Sequence, residues 1–206
     1  MNKARKSIIK FQSIGLLLFG LYVVSTYLAQ DVILPASYNT LFLYLFLGWG
    51  ILNVFFAKRL RINAMAGWML VVMGFSLLTM VYSPNKSIFT GQFYLLIVNF
   101  TITLFLSRIS FDRRAVLLVC WVYVLSAAAL TLLLMATGNM SDSTGRLGNE
   151  VFGNANTMAF LLMLAVMYAF FLMVYFSNAV WKKALLILCV ALSYYAMFLS
   201  GGRKFI

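Results

Sequence analysis

The charges of this chain are few, and they cut it into seven uncharged, largely apolar stretches: 11–29, 40–57, 63–82, 88–107, 115–137, 157–176 and 184–199. A helix needs about 20 apolar residues to cross roughly 30 Å of hydrocarbon, and every stretch is near that length. Inside hydrocarbon no water meets the backbone N–H and C=O groups, so a span must satisfy them itself, as a helix does. A barrel would show short segments alternating apolar and polar residues, and these stretches do not alternate. The expected fold is therefore all-α: a polytopic membrane helix bundle of about seven transmembrane helices, forming a single domain over 1–206. Composition agrees, with 64% hydrophobic and 10% charged residues, where a soluble domain has about half and a quarter.

The net charge of +12 would suggest nucleic acid in a soluble chain. Here the basic residues fall in short clusters between apolar stretches, so they report topology and not a nucleic-acid partner. Twelve lie on one side of seven alternating spans, in the N-terminal segment, at 58–61, at 108–114 and at 182–183. Four lie on the other: Lys86, Arg146, Arg203 and Lys204. Basic residues gather in cytoplasmic loops. The N-terminus is thus expected in the cytoplasm, and the C-terminal end outside with the polar loop 138–157. The first span follows a basic start, and no small-x-small cleavage site comes after it, so it is expected to stay as a signal anchor.

What the spans lack excludes several functions. None carries an acidic or basic residue near its middle, where ion-coupled transporters, proton pumps and voltage sensors place them. A retinal pigment would need a lysine there. There is no histidine, which removes the commonest general base and metal ligand, and no metal site or other cofactor is expected. Cys120 and Cys189 lie within apolar stretches and form no CxxC pair; they are expected as small packing residues. The uncharged polar residues Asn53, Ser76, Thr79, Asn99, Thr101, Thr103, Ser126 and Ser193 are expected to hydrogen-bond between helices.

Two elements remain. The loop 138–157, GNMSDSTGRLGNEVFGNANT, is the longest polar interruption of the chain. It carries Arg146-Leu-Gly148 and then Phe152-Gly-Asn154-Ala-Asn156-Thr157, entering a helix. One span later the seventh stretch ends in Ser200-Gly-Gly-Arg203-Lys204. Both elements fall on the same expected side. An arginine there suits a phosphate-bearing ligand, because its planar fork is always charged and binds phosphate bidentately. Gly201 and Gly202 let backbone approach a bulky headgroup. The plainer roles are interfacial anchors for Arg203 and Lys204, a solvated charge for Arg146, and turn or cap residues for Asn154 and Asn156.

In order and spacing these elements resemble the O-antigen ligase and polysaccharide polymerase family. Its members show an Arg-x-Gly, a Phe-Gly-Asn-Pro-Asn-like turn opening a helix, one intervening span, and a Ser-Arg-Gly-like turn. The specific part of the resemblance covers 146–204. Ala155 stands where the family has proline, and Gly202 and Lys204 flank the arginine where Ser and Gly are common. The resemblance implies a bacterial cytoplasmic (inner) membrane enzyme of O-antigen or capsule assembly. It would transfer a polyprenyl-diphosphate-linked glycan, undecaprenyl diphosphate being the carrier, to an acceptor sugar hydroxyl, without metal or nucleotide sugar. In that reading Arg203 is catalytic, stabilising the departing diphosphate, and Arg146, Asn154, Asn156 and Lys204 bind substrate. The partners would be the lipid-linked glycan, the bilayer and other polysaccharide-assembly membrane proteins. Family members continue into further helices and a large external loop with the proposed histidine base. This chain is accordingly expected to correspond to an N-terminal half, inactive alone. Rival readings are a glycolipid flippase or small-solute transporter, and a structural membrane subunit. Transporters gather polar features at the bilayer midplane, whereas here they gather at one face.

Overall fold

The computed structural model describes residues 3–28, 34–57, 64–80, 82, 86–107, 109, 113–137, 155–175 and 179–200. These are helical almost throughout and include no strand. We number the helices α1 (Lys3–Leu28), α2 (Ser37–Ala57), α3 (Ala64–Met80), α4 (Lys86–Leu106), α5 (Arg113–Thr137), α6 (Ala155–Tyr175) and α7 (Val180–Leu199). Four described segments, Ser37–Phe55, Arg113–Ala136, Asn156–Tyr175 and Val180–Leu199, are long and apolar enough to cross a membrane. Shorter apolar segments lie in α1, α3 and α4. The chain has the build of a helical membrane bundle.

Several helices overrun the apolar stretches. α1 runs back through Lys3, and α7 begins at Val180 instead of Ala184. The reason is local. Hydrocarbon length limits how many apolar residues are needed, but nothing stops the backbone ladder at the interface. At α7 the first turn closes on extended Ala179, whose carbonyl accepts from the backbone N–H of Lys182 and of Lys183 at 3.1 and 3.2 Å. Lys182 and Lys183 are therefore helical, not part of a connecting loop. The Lys182 ammonium sits 5.5 Å from the centre of the Trp181 ring, a cation–π contact of the kind that suits an interfacial helix end.

The chain divides into two compact units. The first comprises 1–16 and 44–110, the second 17–43 and 111–206. In the first unit α3 packs on α4, and the densest packing is aromatic. Phe46 stacks on Trp49 at 5.8 Å between ring centres and meets Phe105 edge-on at 6.5 Å. All three are buried. Two glycines make room: a Cβ at Gly15 would overlap the Trp49 indole, and one at Gly50 would overlap the Phe105 ring. α3 is otherwise open, with Trp68, Phe75 and Leu78 each about two-thirds exposed or more.

In the second unit α5, α6 and α7 pack against one another. Their shared core holds Cys120, Val124 and Ala128 from α5, Ala169 and Leu172 from α6, and Leu186 and Cys189 from α7. Helices in lipid gain little from burying one more apolar side chain; close backbone approach and packing hold them, which favours small residues. Four of these seven are Ala or Cys. Both cysteines are buried and free, in the packing role expected of them.

Candidate functional site

The shared core fixes which ends of the second unit lie together. It draws on Cys120 to Ala128 of α5, on the last turns of α6 and on the first half of α7, and Val116 and Leu117 near the start of α5 pack against it with Met173 and Leu185. α5 and α7 therefore run the same way, and α6 runs against them. Arg113, Arg114, Lys182 and Lys183 fall at one end. The start of α6, at Ala155–Asn156–Thr157, and the end of α7, at Leu199–Ser200, fall at the other. α7 has 20 residues, so the two ends stand about 30 Å apart.

Contacts from the N-terminal helix agree. The Tyr27 hydroxyl, in the last turn of α1, donates to the Leu161 carbonyl, in the second turn of α6, at 2.8 Å. Tyr27 is fully buried. Its ring meets Tyr123 of α5 edge-on at 6.3 Å, and Tyr123 lies 4.9 Å from Tyr168 of α6. From Leu17 onward, α1 thus runs parallel to α5, with its C-terminus at the α6-start end. Beside Tyr27, the hydroxyls of Ser25 and Thr26 donate to the Tyr22 carbonyl at 2.8 and 2.9 Å. They also meet Asn39 Oδ1, in the first turn of α2, at 3.2 and 3.4 Å. Sequence reasoning did not single out this polar junction. The signal was there: a Ser-Thr-Tyr run ends the first apolar stretch, and an asparagine opens the next helix.

Of the residues singled out from sequence, Arg146, Asn154, Arg203 and Lys204 lie outside the described residues, as does most of the loop 138–157. Asn156 and Thr157 are described. They occupy the first turn of α6, inside the helix and not at its cap, and both are exposed. The next two residues, Met158 and Ala159, are fully buried, so the opening of α6 already has a packed and an open face. Ser200 is fully buried. It keeps helical backbone angles (φ −69°, ψ −11°), its N–H donates to the Ala196 carbonyl at 3.0 Å, and its hydroxyl donates to the Met197 carbonyl at 2.7 Å. Ser200 therefore finishes a helix and does not line an open surface.

The hydroxyls within the spans of the first unit correct an expectation. Ser76 donates to Val72, Thr79 to Ser76, Thr101 to Ile97 and Thr103 to Asn99, in each case to a backbone carbonyl three or four residues back. None of these bonds crosses between helices. A hydroxyl on a short side chain reaches its own preceding turn before it reaches a neighbour. Among the described residues no group of three or more His, Cys, Asp or Glu could hold a metal ion. Compared with known proteins, the chain matches no family model, no curated sequence and no solved structure.

Proposed function

We propose that the chain is a seven-span membrane protein of lipid-linked glycan transfer, similar to the O-antigen ligase and polysaccharide polymerase family. It would sit in the bacterial cytoplasmic membrane with its N-terminus inside. The observation that carries this reading is the antiparallel α6–α7 hairpin. Its geometry brings the start of α6 and the end of α7 to one end of the second unit. The two family-like elements flank those points in sequence: Arg146 to Asn156 leads into α6, and Arg203-Lys204 follows α7. The opposite end carries Arg113, Arg114, Lys182 and Lys183, as the cytoplasmic end of such a bundle should.

The chemistry is that of an anion at a membrane surface. The first amides of α6 have no acceptors within their helix and form the positive end of its dipole. Arginines on either side would complement a diphosphate that gains charge as it leaves the anomeric carbon, and Arg203 is the residue assigned to it. Arg146, Asn154, Asn156 and Lys204 would hold the carrier headgroup and the first sugars.

The test is capture of a photoreactive polyprenyl diphosphate by the chain in membranes. Arg203→Ala is expected to weaken capture about 30-fold or more, the effect of losing one charge-assisted partner of the diphosphate. Arg203→Lys should fall between, keeping the charge but losing the fork. Lys204→Ala should be mild. Unchanged capture by Arg203→Ala would overturn the assignment and leave Arg203 an interfacial anchor.

A further inference from the structure

The end of the second unit away from the α6 start concentrates positive charge. α5 opens with Arg113-Arg114, α7 carries Lys182-Lys183 in its opening turn, and neither helix has an acidic residue in its first turn. Val116 and Leu117, just inside α5, and Leu185 and Leu186, just beyond the lysines, pack into the same core. Packed helices lie about 8–10 Å apart, so the two basic pairs sit side by side. Trp181 and Tyr175 at this end are about two-thirds exposed, as aromatic residues at the level of lipid headgroups are.

The protein does not offset this charge itself. Arg114 and Lys183 are exposed, and Lys182 is half-buried beside the Trp181 ring. None of the three meets a carboxylate among the described residues. Arg113 already makes an interaction of its own, and Asp112 is the one acidic residue within 108–114 and 182–183. A cation in the first turn lies at the positive end of the helix dipole and is disfavoured there. Two such ends placed together add to one field. The backbone N–H groups of Lys182 and Lys183 both donate to the Ala179 carbonyl, so side chains, and not amides, are what this end of α7 offers an anion.

We infer that the paired starts of α5 and α7 bind the headgroup phosphate of an anionic phospholipid, with Arg114, Lys182 and Lys183 as its ligands. The occupant follows from where the cations stand. A bundle end at headgroup level has lipid headgroups for neighbours, and each brings a phosphate. A zwitterionic headgroup also brings an ammonium into a field that is already positive, whereas a headgroup of net negative charge does not. The arginine fork can take two phosphate oxygens, and the lysines act as point charges beside it. The inference does not need the glycan-transfer reading; it rests on the second unit being embedded in the bilayer.

The experiment places the full chain in phosphatidylcholine vesicles and measures, by spin-label spectroscopy, how strongly it retains labelled phosphatidylglycerol against labelled phosphatidylcholine. The expected preference for phosphatidylglycerol is about fivefold, the effect of one cation–phosphate pairing at a membrane surface. Combining Arg114→Gln, Lys182→Gln and Lys183→Gln should bring the two lipids close to parity. Removing the same number of charges by Lys58→Gln, Arg59→Gln and Arg61→Gln should leave most of the preference. Combining Arg114→Lys, Lys182→Arg and Lys183→Arg, which keeps every charge, should also preserve it. Equal retention of both lipids by the parent chain overturns the site. Equal loss from the two glutamine triples overturns it too, since only total charge would then matter, and so does loss in the charge-keeping triple. A chain that does not enter the vesicles overturns the membrane reading together with the site.

Discussion

The two compact units solve the same packing problem with different side chains. In the second unit the helices close on small residues: Ala128, Ala169, Cys120 and Cys189 at the shared core, and Ala127, Ala159, Ala165 and Ala196 almost fully buried elsewhere. Side chains also bond across it: Tyr27 of α1 to the Leu161 carbonyl of α6, and Ser25 and Thr26 of α1 to Asn39 of α2. In the first unit a few large rings fill the space over Gly15 and Gly50, and α3 presents most of its apolar surface outward. The share of each long apolar span buried within the protein follows suit, 39% for α5 and for α6 and 28% for α7, against 22% for α2, most of which belongs to the first unit. The difference teaches that apolar content does not measure packing in such a chain. α3 and α6 are equally apolar in sequence, yet among the described residues α6 buries one at nearly every turn and α3 none.

The largest effect expected is all-or-none and tests each unit by itself. In a chain with both native cysteines replaced, Ser143→Cys should react with a membrane-impermeant thiol reagent applied outside, and Lys183→Cys should not. In the first unit Lys86→Cys should react and Arg61→Cys should not. Outside labelling of Lys183→Cys would break the orientation of the second unit, and with it the shared end on which the functional reading rests.

Next comes a pair of substitutions expected to differ in sign. Ala169→Leu inserts bulk where α5, α6 and α7 meet and should cost about 3 kcal/mol in detergent unfolding, as overpacked cores do. Gly74→Ala in α3 adds a Cβ where nothing lies within 4 Å and should stabilise by about 0.5–1 kcal/mol, through helix propensity. Similar destabilisation by both would show that α3 is packed as tightly as α6.

A smaller contrast removes side-chain volume. Leu172→Ala leaves a cavity at a site 1% exposed and should cost about 2 kcal/mol. Leu78→Ala, at a site 64% exposed, should stay within about 0.5 kcal/mol. The smallest effect concerns hydrogen bonds. Tyr27→Phe removes a bond between helices and should cost about 1 kcal/mol. Thr103→Val removes one within a helix and should be near neutral, since unfolding in the membrane leaves that bond in place. Equal costs would show that Thr103 makes a contact beyond its own helix.

The sequence by itself determined where the helices lie, because partition into hydrocarbon is decided locally, by the run of side chains along the axis. It also grouped the charges, and the start of α5 and the start of α7 indeed share one end of the second unit. It placed Asn156 and Thr157 at the opening of α6, with Asn156 as a turn or cap residue and not inside the first turn. Which faces meet was hidden, because helices apolar all round carry no stripe to mark the packed side. So was the fate of each polar group. The Ser-Thr-Tyr run at the end of α1 looked no more distinctive than Asn99-Phe-Thr-Ile-Thr103 on α4. Only the tertiary structure separated them: Tyr27 reaches a carbonyl on α6, the α4 threonines bond back to their own turn, and Asn99 is left facing outward. The physical reason is that a hydrogen bond between helices needs two backbones brought within reach. That proximity comes from the small side chains between them, distributed over segments far apart in the chain.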